Sequence, residues 1–136
     1  MIGEKLQNKQ LGTIFEAAFA YHALCNGCEV FLSQGEFSVV DAVVISPMDQ
    51  LFRVQIRGTA KQKGVSISPT TGRGANKKPL DQTKYEVLAV YAHAYRIWYL
   101  IPSAMVAPAK TLKIYPMFPE SRGQYEIYRD NWKIFK

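Results

Sequence analysis

A single acidic residue inside an apolar segment constrains the fold of this chain more than any other feature. Asp41 lies within residues 37–45, where valine, alanine and isoleucine dominate, and this pattern predicts a core strand. A carboxylate buried in such a strand without a partner costs several kcal/mol. The fold must therefore compensate for it, and a backbone amide or a divalent metal ion are both candidates.

The next apolar segment, residues 51–57, carries the polar groups that can meet this acid. Gln55 and Arg57 alternate with apolar neighbours, so both side chains leave the same face of the predicted strand. A hairpin that turns within residues 46–50 would bring an acid, an amide and a cation together at one edge of a sheet. Taken alone, Gln55 and Arg57 also fit an outward-facing polar pair on a half-exposed strand.

These residues resemble the PD-(D/E)XK nuclease superfamily, and most of all the branch with a group I intron homing endonuclease, in which Q-x-K replaces (D/E)-x-K. The resemblance covers most of the chain. It rests on Gly12 with Glu16 four positions later, on Asp41, on Gln55-Ile56-Arg57 followed by Gly58-Thr59, and on apolar segments at 27–31, 85–91 and 97–102. The chain departs from the family at Arg57, where the family has lysine.

The resemblance implies an α/β fold: a single restriction-endonuclease-like domain over residues 1–136, with a central mixed β-sheet flanked by helices. It also implies a metal-dependent DNA endonuclease that uses Mg²⁺, with Mn²⁺ as a possible substitute. The implied metal ligands are Glu16, Asp41, the Gln55 side-chain oxygen and the Ile56 carbonyl. Arg57 would orient the scissile phosphate, because a permanently protonated guanidinium cannot act as a general base. Homing, restriction, repair and junction-resolving roles fit equally well.

Basic residues cluster directly after this motif, in a chain of net charge +6. Residues 58–79 are rich in glycine, proline, serine and threonine, which predicts a long mobile loop with a short strand at 65–67. Its cations are expected to contact DNA phosphates, and a solvated charged loop is the alternative. The expected phosphate-binding residues are Lys61, Lys63, Arg73, Lys77 and Lys78.

Apolar periodicity places the remaining elements. A helix is expected over 8–25, because apolar residues recur on one face and Asn26-Gly27 follows as a stop signal. Strands are expected at 28–32, 38–46, 51–57 and 112–115, a hairpin of 87–91 with 96–101 turning near His93, and a closing helix at 124–133. No apolar run approaches the length of a membrane span, and no signal-peptide pattern is present, so an intracellular location is expected.

Two further observations leave alternatives open. Cys25 and Cys28 form a C-x-x-C with His22 nearby, but zinc needs more ligands than this cluster offers, and two small, partly buried residues are the preferred interpretation. A lone domain of this size has a small footprint on DNA, so a homo-oligomer is expected. The alternatives to an endonuclease are a non-catalytic nucleic-acid-binding protein on the same fold and a basic interaction domain of a larger assembly.

Overall fold

The N-terminal helix α1, Asn8–Cys25, confirms the helix expected from the apolar periodicity. Its first turn is held by the Gln10 side chain, whose Oε1 accepts a hydrogen bond from the Gln7 amide at 2.8 Å. Phe15, Phe19 and Ala23 are buried along one stripe. Gly27 follows the helix with φ +81°, a conformation that glycine adopts without the steric cost of a side chain.

The computed structural model describes residues 7–35, 39–62, 65–71, 77–106, 111–118 and 123–136. In this part of the chain, no helix is long and apolar enough to cross a membrane.

A mixed sheet of five strands, counted over the described residues, forms the centre of the fold and confirms the expected α/β class. Its spatial order is β1-β2-β3-β7-β8. The pairs are antiparallel except β3 with β7, which run parallel. The strand bounds are β1 Glu29–Leu32, β2 Ala42–Ile45, β3 Leu51–Thr59, β4 Val65–Ile67, β5 Thr70–Thr71, β6 Lys78–Pro79, β7 Val87–Ala92, β8 Ile97–Pro102 and β9 Leu112–Ile114.

Two turns set the register of the strands around the candidate site. Between β2 and β3, the Ser46 hydroxyl accepts hydrogen bonds from the amides of Met48 and Gln50, and Asp49 adopts φ 62°. Between β7 and β8, the 3-10 helix His93–Tyr95 makes the turn that the sequence predicted near His93. These short connections keep neighbouring strands in the registers that their alternating apolar residues favour.

Strands β7 and β8 are buried on both faces of the sheet. Helix α1 covers one face, where Phe19 packs edge-on against Trp98 with ring centroids 5.4 Å apart. The Trp98 indole donates a hydrogen bond to His22 Nδ1 at 2.8 Å, so His22 has a structural partner in the core. On the other face of β7 and β8, Leu88 and Val90 belong to a second cluster. The small sheet formed by β4 and β9 contributes to this second cluster.

Several boundaries differ from the sequence prediction. Strand β2 begins at Ala42, so Asp41 precedes the strand instead of lying inside it, and residue 38 of the predicted strand lies outside the described residues. Strand β3 continues two residues past the predicted end, to Thr59, because β7 pairs with it over that length. Part of the predicted loop 58–79 is regular: β4 pairs with β9, and β5 pairs with β6. Mobility of this segment stays a prediction.

The predicted closing helix at 124–133 is wrong. The chain forms two 3-10 helices instead, Glu126–Tyr128 and Trp132–Phe135. Between them, Arg129 forms an isolated β-bridge with Tyr99, the Asp130 amide donates to the Trp98 carbonyl at 2.7 Å, and Asp130 adopts φ 48°. These contacts with β8 interrupt the helical pattern, so tertiary hydrogen bonding overrides the local periodicity.

Candidate active site

The candidate site lies where β2 and β3 separate. The two strands pair only from Ala42 opposite Val54 to Ile45 opposite Leu51, with one further bond from the Asp41 amide to the Val54 carbonyl at 2.9 Å. Beyond Val54, β7 is the strand that pairs with β3 among the described residues. The edge of β3 that β2 has left is therefore open to the Asp41 side chain.

Asp41 receives hydrogen bonds from two groups of β3. Its Oδ2 accepts from Gln55 Nε2 at 2.9 Å and from the Ile56 amide at 2.7 Å. Arg57 Nη1 lies 3.7 Å from the same oxygen, as an ion pair. The acid, the amide and the cation thus converge, as the sequence predicted, and these donors compensate in part for the partly buried carboxylate.

The electrostatic balance at Asp41 still disfavours its charged form. Burial raises the pKa of Asp41, and the Ile56 amide and the Arg57 charge oppose that shift only in part. At Glu16 of α1, burial raises the pKa of the carboxyl group, and the negative charge of Asp41 raises it further. The helix therefore brings a second carboxylate within electrostatic reach of the first. A divalent cation would relieve this repulsion.

The Arg57 side chain bonds to one carbonyl of its own strand and to one carbonyl of β5. Its Nη1 donates to the Ile56 carbonyl at 3.0 Å, and its Nη2 donates to the Thr70 carbonyl of β5 at 3.3 Å. Burial lowers the pKa of Arg57, and the nearby Asp41 charge opposes this shift. The guanidinium remains charged, because arginine titrates far above neutral pH. The Thr70 contact was missed in the sequence, since no local pattern indicates which distant carbonyl will meet a side chain.

Gln55 contributes a buried oxygen with no partner. The residue is 4% exposed, and no hydrogen bond from the described residues reaches its Oε1. The orientation of the amide follows from its neighbour, since the Asp41 carboxylate needs a donor and therefore faces Nε2. A buried acceptor without a donor is costly. Such an atom is a common sign of a ligand that the described residues do not supply.

A groove of 730 Å³ opens between the first half of α1 and the end of β3. Gly58 lies on its strand side and touches Phe15, so closely that a Cβ atom at Gly58 would lie 2.5 Å from Phe15 Cδ2. This contact brings α1 close to the strand that carries Gln55 and Arg57. The groove is lined by Asn8, Leu11, Gly12, Phe15 and residues 56–61.

The donors around the site fit a hard divalent cation. Within the described ranges, no group of three or more His, Cys, Asp and Glu side chains is placed to hold a metal. The candidate set here is different: carboxylates of Glu16 and Asp41, the unpartnered amide oxygen of Gln55 and the Ile56 carbonyl. All of these are oxygen donors, which Mg²⁺ and Mn²⁺ prefer over nitrogen or sulfur. Metal binding by these residues stays a prediction.

The other predicted site residues are placed as follows. Lys61, Lys77 and Lys78 are exposed, while Lys63 and Arg73 lie outside the described residues. Cys25 is exposed and Cys28 is buried, and both are free thiols. Since His22 Nδ1 accepts the Trp98 hydrogen bond, the C-x-x-C has no zinc-binding histidine at its side.

Comparison with known proteins finds likenesses in structure alone. No family model matches the sequence, and no curated protein matches it. Among solved structures, the bacterial homing endonuclease I-Ssp6803I superposes with a TM-score of 0.81 and 17% identity over 95% of this chain and 93% of its own. A second match is Hjc, a Holliday junction resolvase from the archaeal hyperthermophile Archaeoglobus fulgidus. Its TM-score is 0.51 at 16% identity, over 86% of this chain and 94% of its own. These two likenesses, together with the mixed sheet described above, show that the chain has a restriction-endonuclease-like nuclease fold.

Proposed function

We propose that this protein is a metal-dependent DNA endonuclease that hydrolyses phosphodiester bonds. The observation that carries the proposal is the convergence of Asp41, Gln55 and Arg57 where β2 leaves β3, with the buried Gln55 Oε1 unpartnered among the described residues. The fold supports it, because the two structures reported above are a homing endonuclease and a junction resolvase. Fold likeness alone does not carry function, so the site carries the argument.

Each residue of the site has a distinct task in this proposal. Glu16, Asp41, Gln55 Oε1 and the Ile56 carbonyl would hold Mg²⁺ or Mn²⁺. A bound ion of this kind lowers the pKa of a water molecule and neutralises charge on the phosphoryl group. Arg57 presents a planar pair of donors that matches two phosphate oxygens and stabilises negative charge there. Its permanent charge excludes it as a proton acceptor.

DNA is the proposed substrate because positive charge borders the groove. Lys61 lines the groove directly, and Lys77 and Lys78 are exposed on the segment that follows Thr70 of the site. Lys63 and Arg73 belong to the same stretch of sequence. These cations would neutralise backbone phosphates, so affinity for DNA should fall steeply with salt. A homo-oligomer is part of the proposal, because one domain of this size covers only a short length of duplex.

Plasmid nicking tests the proposal. Supercoiled plasmid is incubated with the protein and Mg²⁺ or Mn²⁺, and we expect nicked and linear products that Asp41→Asn abolishes. Asp49→Asn is the matched control, because it removes the same charge from an exposed turn residue whose φ of 62° asparagine tolerates. Loss of cleavage in both variants would argue against a specific role for Asp41.

A non-catalytic nucleic-acid-binding protein is the second candidate, favoured by one observation. Arg57 stands where the resembled family has lysine, and it occupies the Ile56 carbonyl that the proposal assigns to the metal. This alternative predicts salt-dependent DNA binding that Mg²⁺ leaves unchanged, and no cleavage by the native protein or by Arg57→Lys. A basic interaction domain predicts no salt-dependent DNA binding at all.

A further inference from the structure

Asp41 and the Ile56 carbonyl, two of the proposed metal ligands, already have partners in this structure. Three donors of β3 face Asp41 Oδ2: Gln55 Nε2, the Ile56 amide and Arg57 Nη1. The Ile56 carbonyl, a proposed metal ligand, accepts from Arg57 Nη1 at 3.0 Å. The positive charge that a carboxylate site needs is thus supplied by the chain itself.

We infer that Arg57 is an internal counter-ion that holds the candidate metal site closed, and that a metal ion binds only by displacing the guanidinium from the Ile56 carbonyl. This inference rests on the proposed function, since it concerns the same site. This role of Arg57 is additional to the phosphate binding that the proposed function gives it. In the metal-free protein the guanidinium substitutes for the ion.

The position of the guanidinium supports displacement over simultaneous binding. Arg57 is anchored at two carbonyls, those of Ile56 and Thr70, and it lies 3.7 Å from Asp41. A cation that bound the Ile56 carbonyl and Asp41 together would meet a fixed positive charge at the same two groups. Like charges at that separation repel strongly in a partly buried site. The ion and the guanidinium therefore compete for these ligands.

Gln55 must change as well. Its Nε2 faces Asp41, so Oε1 points away from the carboxylate that would share the ion. Rotation of the amide by half a turn brings the oxygen to the Asp41 side. The terminal torsion of glutamine is broad and roughly two-fold, so the side-chain geometry permits both orientations. The rotation exchanges the hydrogen bond with Asp41 for a metal contact, and gives the unpartnered oxygen its ligand.

The competition sets the order of events at the site. While Arg57 bonds to the Ile56 and Thr70 carbonyls, its donor fork is occupied and is not available to a phosphate. Metal binding frees the fork. Only molecules in which Arg57 has left the Ile56 carbonyl are able to bind the ion. The apparent metal affinity of the native protein is therefore the intrinsic affinity multiplied by the fraction of such molecules.

Metal titration of the DNA-free protein tests the inference without measuring activity. Mn²⁺ binding is followed by electron paramagnetic resonance of the unbound ion, for the native protein, Arg57→Met and Lys61→Met. We expect Arg57→Met to bind Mn²⁺ about tenfold more tightly or more, since displacing a charged hydrogen bond is a cost that this variant avoids. Lys61→Met removes an equal charge from the same groove but leaves the carbonyl contacts, so its affinity should change by less than about twofold.

A second variant guards against misfolding of Arg57→Met. Arg57→Lys keeps the charge but lacks the fork that reaches two carbonyls, and we expect its Mn²⁺ affinity to exceed the native value by about threefold. In the native protein, addition of Mg²⁺ should also shift the nitrogen-proton resonances of the Arg57 Nε and of the Gln55 side-chain amide. An unchanged Arg57 Nε resonance at saturating Mg²⁺ would contradict release of the guanidinium.

The outcomes separate this inference from the proposed function. Equal or weaker Mn²⁺ binding by folded Arg57→Met and Arg57→Lys would overturn the counter-ion role, while measurable binding by the native protein would leave the metal-dependent proposal standing. Mn²⁺ binding by none of the forms would overturn both.

Discussion

Substitution of Gly58 by alanine tests the contact that holds α1 against β3. An ideal Cβ at Gly58 would lie 2.5, 2.6 and 2.7 Å from Phe15 Cδ2, Cε2 and Cγ. Favourable carbon contacts lie at roughly 3.5–4.0 Å, so the ring would have to withdraw by about 1 Å. Phe15 is only 7% exposed, and its ring already packs against Tyr91 and His93 at centroid distances of 6.1 and 6.2 Å. It has little room to withdraw.

The expected loss of stability follows from these distances. Overpacking of a well-packed core costs about 1–3 kcal/mol, and three close contacts with one ring place Gly58→Ala in the upper part of that range. Alanine also restricts the unfolded chain, which returns about 0.5–1 kcal/mol. The free energy of unfolding should therefore fall by about 1–2 kcal/mol, and Tm by about 3–8 °C for a domain of this length.

Gly12→Ala is the matched control, because among the described residues no atom beyond its chain neighbours and its own helix backbone lies within 4 Å of the position that a Cβ would take at Gly12, and the residue lies inside α1. Alanine is a better helix former than glycine, so this variant should gain about 0.5–1 kcal/mol. Urea denaturation followed by circular dichroism measures both variants. A free energy of unfolding for Gly58→Ala at or above the native value would refute the overpacking of Phe15, because an overpacking cost of about 1–3 kcal/mol should exceed the roughly 0.5–1 kcal/mol that alanine returns.

The remaining predictions concern three polar side chains. Asp41→Asn should stabilise the metal-free protein near neutral pH, because burial raises the pKa of Asp41 in the folded state, so that the native protein binds more protons than the unfolded chain. The advantage of the variant, measured by urea denaturation, should vanish as the pH falls below the unfolded pKa. Glu86→Gln should show the opposite trend, because hydrogen bonds from Arg53 lower the pKa of Glu86. The native pair stabilises the fold above the unfolded pKa, and denaturation curves at several pH values should show this contribution lost as the pH falls through the folded pKa. Tyr85→Phe should leave the free energy of unfolding unchanged or raise it by up to about 1 kcal/mol, because the buried Tyr85 hydroxyl has no hydrogen-bond partner among the described residues. A loss of stability in calorimetry would reveal such a partner.

The candidate site and the first helix show which features residue patterns can predict. The meeting of Asp41 with an amide and a cation on the next strand was predictable, because strand alternation fixes the faces of Gln55 and Arg57, and a short turn fixes the pairing of β2 with β3. Helix α1 was equally predictable, since its apolar stripe and its stop signal are both local. These features depend on residues close together in the sequence.

The closing segment shows the opposite case. Its aromatic residues recur with helical spacing, yet the chain bonds to β8 through the Asp130 amide and forms 3-10 turns. Periodicity indicates which residues favour burial, and it does not tell what they are buried against. Hydrogen bonding to the backbone of a neighbouring strand satisfied this segment in place of the helix.

By itself, the sequence determined the first helix and the meeting of Asp41 with Gln55 and Arg57, since helical periodicity, strand alternation and a short turn decide these features locally. The α/β class was implied by the family resemblance. Only the tertiary structure decided how those groups bond: Gln55 turns its amide nitrogen to Asp41, and Arg57 bonds to its neighbour's carbonyl and to that of Thr70. The physical reason is that hydrogen-bond partners are chosen by competition among every donor and acceptor that the fold brings within reach. Residue patterns indicate which groups meet, and the folded geometry determines which atoms of those groups are left free.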